Sequence, residues 1–65
     1  MTLKPYKQRV VSEREDLAEE ISNLTDFLSG DIFGSLASED QRLLTAQREA
    51  MTALLGLLDH RISRF

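Results

Sequence analysis

Apolar and polar positions alternate with a helical period in two long segments of the chain. In the first segment apolar side chains recur at steps of three, four or seven residues, at Tyr6, Val10, Leu17, Ile21, Leu24 and Leu28, with Ala18 and Phe27 widening the face. This spacing places them on one face of a helix, interrupted only by Arg14. Pro5 suits a first helical turn and Gly30 a C-terminal cap. We predict a helix over about residues 5–29.

The second segment has a broader apolar face than the first. Ser38 and Gln41 have the spacing of a capping box, and a helix is predicted over about residues 39–64. A seven-residue repeat runs along it, through Leu44, Met51, Leu58 and Phe65, with Gln47, Leu54 and Arg61 between them. Further apolar side chains lie beside this stripe, at Leu43, Ala50, Leu55, Leu57 and Ile62. One partner helix does not cover such a face, so we expect the second helix to contact other subunits.

The connection at residues 30–38 contains two glycines and a few apolar residues. It predicts a turn with one short helical turn, in which Ile32, Phe33 and Leu36 fold back over the end of the hairpin. Two helices joined in this way form an antiparallel hairpin. The predicted fold is all-α: one helical hairpin domain over residues 1–65, assembled as a homo-oligomer. Gly56 leaves two interpretations open, a close approach by another helix or ligand and a tolerated surface glycine.

The composition limits the kinds of catalytic and metal site that the chain can contain. The chain has 65 residues, no Cys and one His, which excludes disulfides, thiol catalysis and Cys-based zinc sites. A chain this short buries a modest core, so a partner is expected. No phosphate-binding loop, nucleophile motif or metal-ligand spacing is present. Acids on one helix face, such as Glu13 and Asp16, indicate a solvated surface. We predict a non-enzyme without cofactor or metal, and a cytoplasmic location, since no signal or membrane segment is visible.

The formal charge of −3 hides an uneven distribution. Residues 1–9 carry three basic side chains and no acid, residues 60–65 carry two, and all 11 acids lie between. An antiparallel hairpin brings the two basic segments together at its open end. The side chains that meet there are Lys4, Lys7, Arg9, Arg61 and Arg64, with Tyr6, His60 and Phe65. Charge beside an aromatic ring suits a ligand with phosphates and a base.

The same residues also fit simpler roles. Arg61 and Arg64 are favourable in a last helical turn without any ligand. The basic residues of the N-terminal segment can pair with acids such as Asp59 or Glu13, and exposed pairs of this kind contribute little. Aromatic rings at such positions often serve packing. Charge alone therefore leaves an anionic-ligand site and a solvated surface both open.

A resemblance to a known family adds to this picture. It lies in the arrangement Tyr6-x-x-Arg9-Val10-Val11-x-Glu13 with Leu17, Leu24 and Phe27-Leu28, and continues in Leu36-x-x-Glu39-Asp40, Leu43-Leu44, Gln47, Ala50-Met51, Leu58, Arg61-Ile62 and Phe65. The chain resembles the small phage hairpin-domain proteins that sequester cyclic-nucleotide alarm signals, the anti-CBASS and Thoeris anti-defence sponges. The N-terminal Tyr-x-x-Arg-Val and the C-terminal Arg-Ile-x-x-Phe are its more specific parts.

The resemblance implies a homohexamer that binds cyclic dinucleotides, cyclic trinucleotides or cyclic ADP-ribose-type ligands between its subunits. By the same resemblance, Tyr6 stacks on a base and Arg61 holds a phosphate. Lys7, Arg9 and Arg64 assist, and Ser22 and Thr25 offer hydroxyl groups. The function it implies is a phage anti-defence sponge, acting in the cytoplasm of the infected bacterial host without cleaving its ligand. The alternative is a helical adaptor that docks on another protein through its second helix. A DNA-binding regulator is disfavoured by the acidic middle segment.

Overall fold

Three helices form an antiparallel hairpin in the computed structural model, which describes residues 4–65. They are α1 (Pro5–Leu28), α2 (Asp31–Ser35) and α3 (Ser38–Ser63). The two long helices pack against each other, and the short α2 lies in the connection. The all-helical hairpin with a short helical turn in its connection is therefore confirmed. The observed ends of the long helices lie within one residue of the predicted ends.

The face of α1 that meets α3 follows a repeat of three and four residues. Its members are buried or half-buried: Lys7, Val10, Arg14, Leu17, Ile21, Leu24 and Leu28. Such a repeat keeps one row of side chains against a partner helix, as in a coiled coil. Tyr6 and Phe27, which the sequence pattern assigns to this face, are exposed. Lys7, the neighbour of Tyr6, lies in the row instead, and Leu28 lies in it as predicted.

The matching row on α3 differs from the predicted one at every second position. It comprises Gln41, Leu44, Arg48, Met51, Leu55, Leu58 and Ile62. Gln47, Leu54 and Arg61, predicted within the stripe, are exposed, so this part of the prediction is wrong. The charged Arg48 conceals the true repeat in the sequence. It fits the row because its guanidinium reaches across the interface, where Nε donates a 2.8 Å hydrogen bond to Thr25 Oγ1.

The hairpin encloses little of its apolar surface. Val10, Leu17 and Leu58 are the buried residues among those described, with Ile21, Met51, Leu55 and Ile62 packed around them. The molecule is a rod of 49 × 15 × 14 Å with a radius of gyration of 15.0 Å. A globular domain of this length would have a radius of about 11 Å. Most of each long helix therefore faces outward.

Gln41 joins the connection to α3. Its side-chain Nε2 donates to the backbone carbonyl oxygens of Phe33, Gly34 and Leu36, at 3.1, 3.4 and 3.0 Å. The predicted capping box is therefore wrong. The N-cap residue is Ala37 and no side chain caps the helix. The amide of Gln41 reaches the preceding carbonyl groups rather than its own helix start.

The glycine at the end of α1 is not a left-handed C-cap. Ser29 caps α1 in a right-handed conformation, and Gly30 is extended, with φ −92° and ψ 170°, as the N-cap of α2. Because α2 begins at once, the chain does not need a left-handed turn there. Phe33 and Leu36 are half-buried as predicted, whereas Ile32 is 65% exposed, so its predicted packing is wrong.

Gly56 lies in the exposed part of α3. A Cβ atom built there would meet no atom within 4 Å, so no close approach inside the hairpin requires a glycine. Neither long helix has an apolar stretch of the kind that could cross a membrane.

Candidate ligand-binding site at the open end

The antiparallel arrangement brings the start of α1 and the end of α3 together at the open end of the hairpin. Tyr6 and Phe65 meet there with ring centroids 6.5 Å apart and ring planes at 75°. This edge-to-face contact is one of the preferred arrangements of aromatic pairs. Both rings keep much of their surface accessible, since Tyr6 is 52% exposed and Phe65 39% exposed. The rings therefore pack on each other and still offer surface to a ligand.

Lys7 lies against both rings. Its Nζ is 5.9 Å from the centroid of Tyr6 and 5.1 Å from that of Phe65, within the range of cation–π attraction. The Lys7 side chain is half-buried in the row that faces α3. We refer to Tyr6, Lys7 and Phe65 as the aromatic cluster. It combines a fixed positive charge with two ring surfaces.

The other basic residues near this end are exposed. Arg9, Arg61 and Arg64 form no ion pair with any residue in the range 4–65. Arg61 and Arg64 lie three residues apart, almost one helical turn, at the C-terminal end of α3. The helix dipole also favours positive charge at this end. Their guanidinium groups thus remain available to an anion.

The acid nearest the open end on α3 is engaged elsewhere. Asp59 accepts a 2.7 Å hydrogen bond from Arg14 Nε through Oδ1, and its Oδ2 lies 3.5 Å from Arg14 Nη2. The hydrogen bond and the charge of Asp59 raise the pKa of the Arg14 guanidinium above its ordinary value. Pairing of the N-terminal basic residues with Asp59, one of the simpler roles considered above, is therefore not observed. Arg14 neutralises Asp59 and leaves the terminal cations unpaired.

A groove runs along α1 from Arg9 to Glu20, and Leu54 of α3 also lines it. It encloses about 560 Å³ and is lined by Arg9, Ser12, Glu13, Asp16, Leu17, Glu20 and Leu54. Arg9 thus borders a groove with three carboxylates, whereas Tyr6 and Lys7 lie in the aromatic cluster. Within residues 4–65, no group of three acidic or imidazole side chains has the arrangement of a metal site.

The hydroxyl of Thr25 is used inside the hairpin. It donates a 2.7 Å hydrogen bond to the carbonyl oxygen of Ile21 and accepts one from Arg48. Thr25 therefore connects the two long helices in this structure. Ser22 is exposed on the outer side of α1, away from the aromatic cluster.

Comparison with known proteins identifies the family. The Sequestin family model matches residues 4–64, which is nearly the whole chain. The chain belongs to the Sequestin family. No curated protein and no solved structure matches it. Membership of the Sequestin family indicates a protein that sequesters a small signalling molecule in an anti-defence role, rather than an enzyme. It is consistent with the resemblance to phage sponges.

The family match includes Tyr6, Lys7, Arg9, Arg61 and Arg64, and Phe65 lies one residue beyond it. Sequence reasoning placed these Sequestin residues at one end because hairpin geometry dictates it. It did not find the contact of Lys7 with both rings, since that depends on side-chain conformation. The groove was also missed. Its acids follow the three- and four-residue steps of one helix face, which was assigned to solvent.

Proposed function

We propose that this Sequestin binds a cyclic oligonucleotide immune signal at its open end and withholds it without cleavage. The observation that carries the proposal is the aromatic cluster beside arginines that have no acidic partner within residues 4–65. A base would stack on Tyr6 and Arg61 would hold a phosphate, with Lys7, Arg9 and Arg64 assisting. The ligand classes are cyclic dinucleotides, cyclic trinucleotides and cyclic ADP-ribose derivatives.

The proposal includes the setting that the resemblance implies. The protein would be phage-encoded, would act in the cytoplasm of the bacterial host and would assemble as a homohexamer with ligands between subunits. Sequestration requires tight binding and a copy number above that of the signal, and it requires no catalytic group. The aromatic cluster, with one lysine and two rings, is suited to such binding.

A binding screen tests the ligand class. Purified protein is titrated with cyclic di-, tri- and ADP-ribose-type nucleotides, and the unfolding midpoint is followed. A ligand that binds only the folded state must raise the midpoint. The ligand is then recovered after heat denaturation and examined by chromatography. Recovery of intact ligand supports sequestration. If none of the nucleotides raises the unfolding midpoint, the proposal is contradicted.

Tyr6→Ala tests the stacking role against a matched control. Phe27 is another exposed aromatic residue, but it lies near the closed end of the hairpin. We expect Tyr6→Ala to weaken nucleotide binding by about 1–3 kcal/mol, the usual contribution of base–aromatic stacking. Phe27→Ala should bind as the parent does. Equal binding by Tyr6→Ala and the parent would refute the assignment.

Arg64→Gln tests the phosphate role in the same manner. Its control is Arg42→Gln, which removes another exposed arginine, at the start of α3. Loss of affinity in Arg64→Gln, with a smaller dependence on salt, is expected for a lost phosphate contact. The Arg42→Gln variant should retain the affinity of the parent.

The adaptor function is the second candidate, because α3 exposes large apolar side chains. Leu43 is 59% exposed, Leu54 43% and Leu57 64%. A stable monomer that keeps this face free would favour an adaptor, whereas a stable oligomer favours the sponge. Sedimentation equilibrium of the purified chain distinguishes the two.

A further inference from the structure

Phe65 connects the end of the chain to the start of α1 at the open end of the hairpin. Its ring meets the ring of Tyr6 edge to face, with 6.5 Å between the two centroids. The Nζ atom of Lys7 is 5.1 Å from the centroid of Phe65 and 5.9 Å from that of Tyr6, so Lys7 lies closer to Phe65 than to its own neighbour in the sequence. Because Tyr6 and Lys7 both belong to α1, these contacts join the two ends of the hairpin.

The backbone holds Phe65 in place just beyond the end of α3. Its N–H group donates a 3.1 Å hydrogen bond to the carbonyl oxygen of Ile62. Ile62 packs against the buried core, so this hydrogen bond attaches Phe65 to a part of α3 that α1 already holds. Phe65 is 39% exposed, and more than half of its surface is therefore covered. It offers a fixed ring to its neighbours on α1.

The first turn of α1, by contrast, lacks the side chains that usually stabilise a helix start. In the part of the chain that the structure describes, no side-chain hydrogen bond caps α1, and its first turn contains no acidic residue. Lys4 is the N-cap residue, and Lys7 places a second positive charge near the positive end of the helix dipole, where cations are unfavourable. Pro5 favours a first helical position but provides no capping group. Tyr6 and Lys7 therefore lie on a turn that tends to fray.

The ring of Phe65 compensates for this weak start. Attraction between the ring and the ammonium group offsets part of the unfavourable position of Lys7, and the edge-to-face contact restrains the ring of Tyr6. Binding groups that are already held in place lose less conformational freedom when a ligand arrives, and this raises affinity. A fixed ring at the end of α3 thus prepares two residues of α1 for binding.

We propose that Phe65 is a positioning residue for ligand binding, which holds Tyr6 for stacking on a base and Lys7 for contact with a phosphate. The inference rests on the proposed function, since it concerns the same site. Phe65 acts through the two residues of α1, so its removal should loosen them before any ligand is present. A side chain that only touched the ligand would leave the ligand-free site unchanged.

The ligand-free protein gives the first readout. The chain has one Tyr and no Trp, so its tyrosine fluorescence comes from Tyr6. Phe65→Leu keeps an apolar side chain and removes the ring, and Phe27→Leu is the matched control, because Phe27 is 36% exposed and lies near the closed end. In time-resolved anisotropy, the fast component that reports local ring motion should grow about twofold in Phe65→Leu. The control should keep the parent value. An unchanged fast component in Phe65→Leu would overturn the proposal.

Nucleotide affinity gives the second readout. Each variant is titrated with the cyclic nucleotide that raises the parent's unfolding midpoint most, and circular dichroism checks that the helices are intact. Phe65→Leu should bind about tenfold more weakly, because two side chains must then be ordered on binding. Phe65→Tyr, which restores a ring, should bind within about twofold of the parent, and Phe27→Leu should match it.

Two results distinguish failure of this inference from failure of the proposed function. Equal affinities of the parent and Phe65→Leu would overturn the positioning role while leaving the ligand-binding function intact. A parent chain that binds none of the nucleotides would contradict the proposed function and the role of Phe65 in it. The anisotropy of the ligand-free protein still measures in that case whether Phe65 restrains Tyr6, because that experiment needs no nucleotide.

Discussion

Gln41 shows how one side chain can organise a connection between helices. Its amide holds three backbone carbonyl groups of the preceding turn, and it also belongs to the row that faces α1. Sequence reasoning recognised the position as special but assigned it to a capping box. The spacing of three residues fits both roles. Only the extended backbone at Leu36 and Ala37 directs the amide to the earlier carbonyls.

Replacement of Gln41 should therefore destabilise the hairpin. Gln41→Ala loses donors to half-buried carbonyl groups, and we expect the free energy of unfolding to fall by about 1 kcal/mol. Gln41→Glu should cost more, because it places a carboxylate against those carbonyl oxygens. Gln47→Glu, an exposed change of the same chemistry, is the control. Urea unfolding followed by circular dichroism measures all three, and equal effects at both positions would contradict the role of Gln41.

At the scale of the elements, polar pairs fix how α1 and α3 are aligned. Arg14 meets Asp59, and Thr25 meets Arg48. In both pairs the two residue numbers add to the same value, as an antiparallel alignment requires. The sequence pattern treated Arg14 as an interruption and missed Arg48. Hydropathy cannot identify a basic side chain that spans an apolar row, because the stem packs while the head group finds its partner on another helix.

Loss of the Arg48 contact should be measurable as coupling. Arg48→Met keeps the stem and removes the donor, and Thr25→Val removes the acceptor. In a double-mutant cycle we expect a favourable coupling of about 0.5–1.5 kcal/mol between the two. The pair of Arg14 and Asp59 should couple more weakly as salt rises, since both side chains are partly exposed. An arginine side chain stays protonated at alkaline pH, and the contact with Asp59 raises the pKa of Arg14 further, so this pair should persist there. A coupling of zero for Arg48 and Thr25 would contradict the alignment role.

Adjacent leucines on α3 should respond differently to truncation. Leu58 is 2% exposed and Leu57 64% exposed. Leu58→Ala should lower the free energy of unfolding by about 2–5 kcal/mol, as in other cores. Leu57→Ala should leave the hairpin nearly unaffected and weaken self-association instead. Denaturation at several chain concentrations, with sedimentation as the second readout, separates the two effects.

At the scale of the whole molecule, the small core gives the hairpin little buried apolar surface of its own. The sequence predicted the hairpin, its direction and the basic open end, because helical periodicity and length determine them. It did not determine which side of α3 remains free, since the row that faces α1 and the outer side with Leu43, Leu54 and Leu57 are both apolar. If the protein associates through these exposed leucines, its unfolding midpoint must rise with chain concentration. A midpoint that is constant over a hundredfold range would indicate a self-sufficient monomer.

The paired contacts of Arg14 with Asp59 and of Thr25 with Arg48 also limit how the hairpin can change in length. Deleting one residue from the middle of α1 would rotate everything beyond it by about 100° and separate one pair while sparing the other. Only a change of seven residues, made in both long helices between the pairs, keeps the inner rows facing each other. Sequestins longer or shorter than this one should therefore differ by whole heptads in the two helices together, and otherwise in the connection.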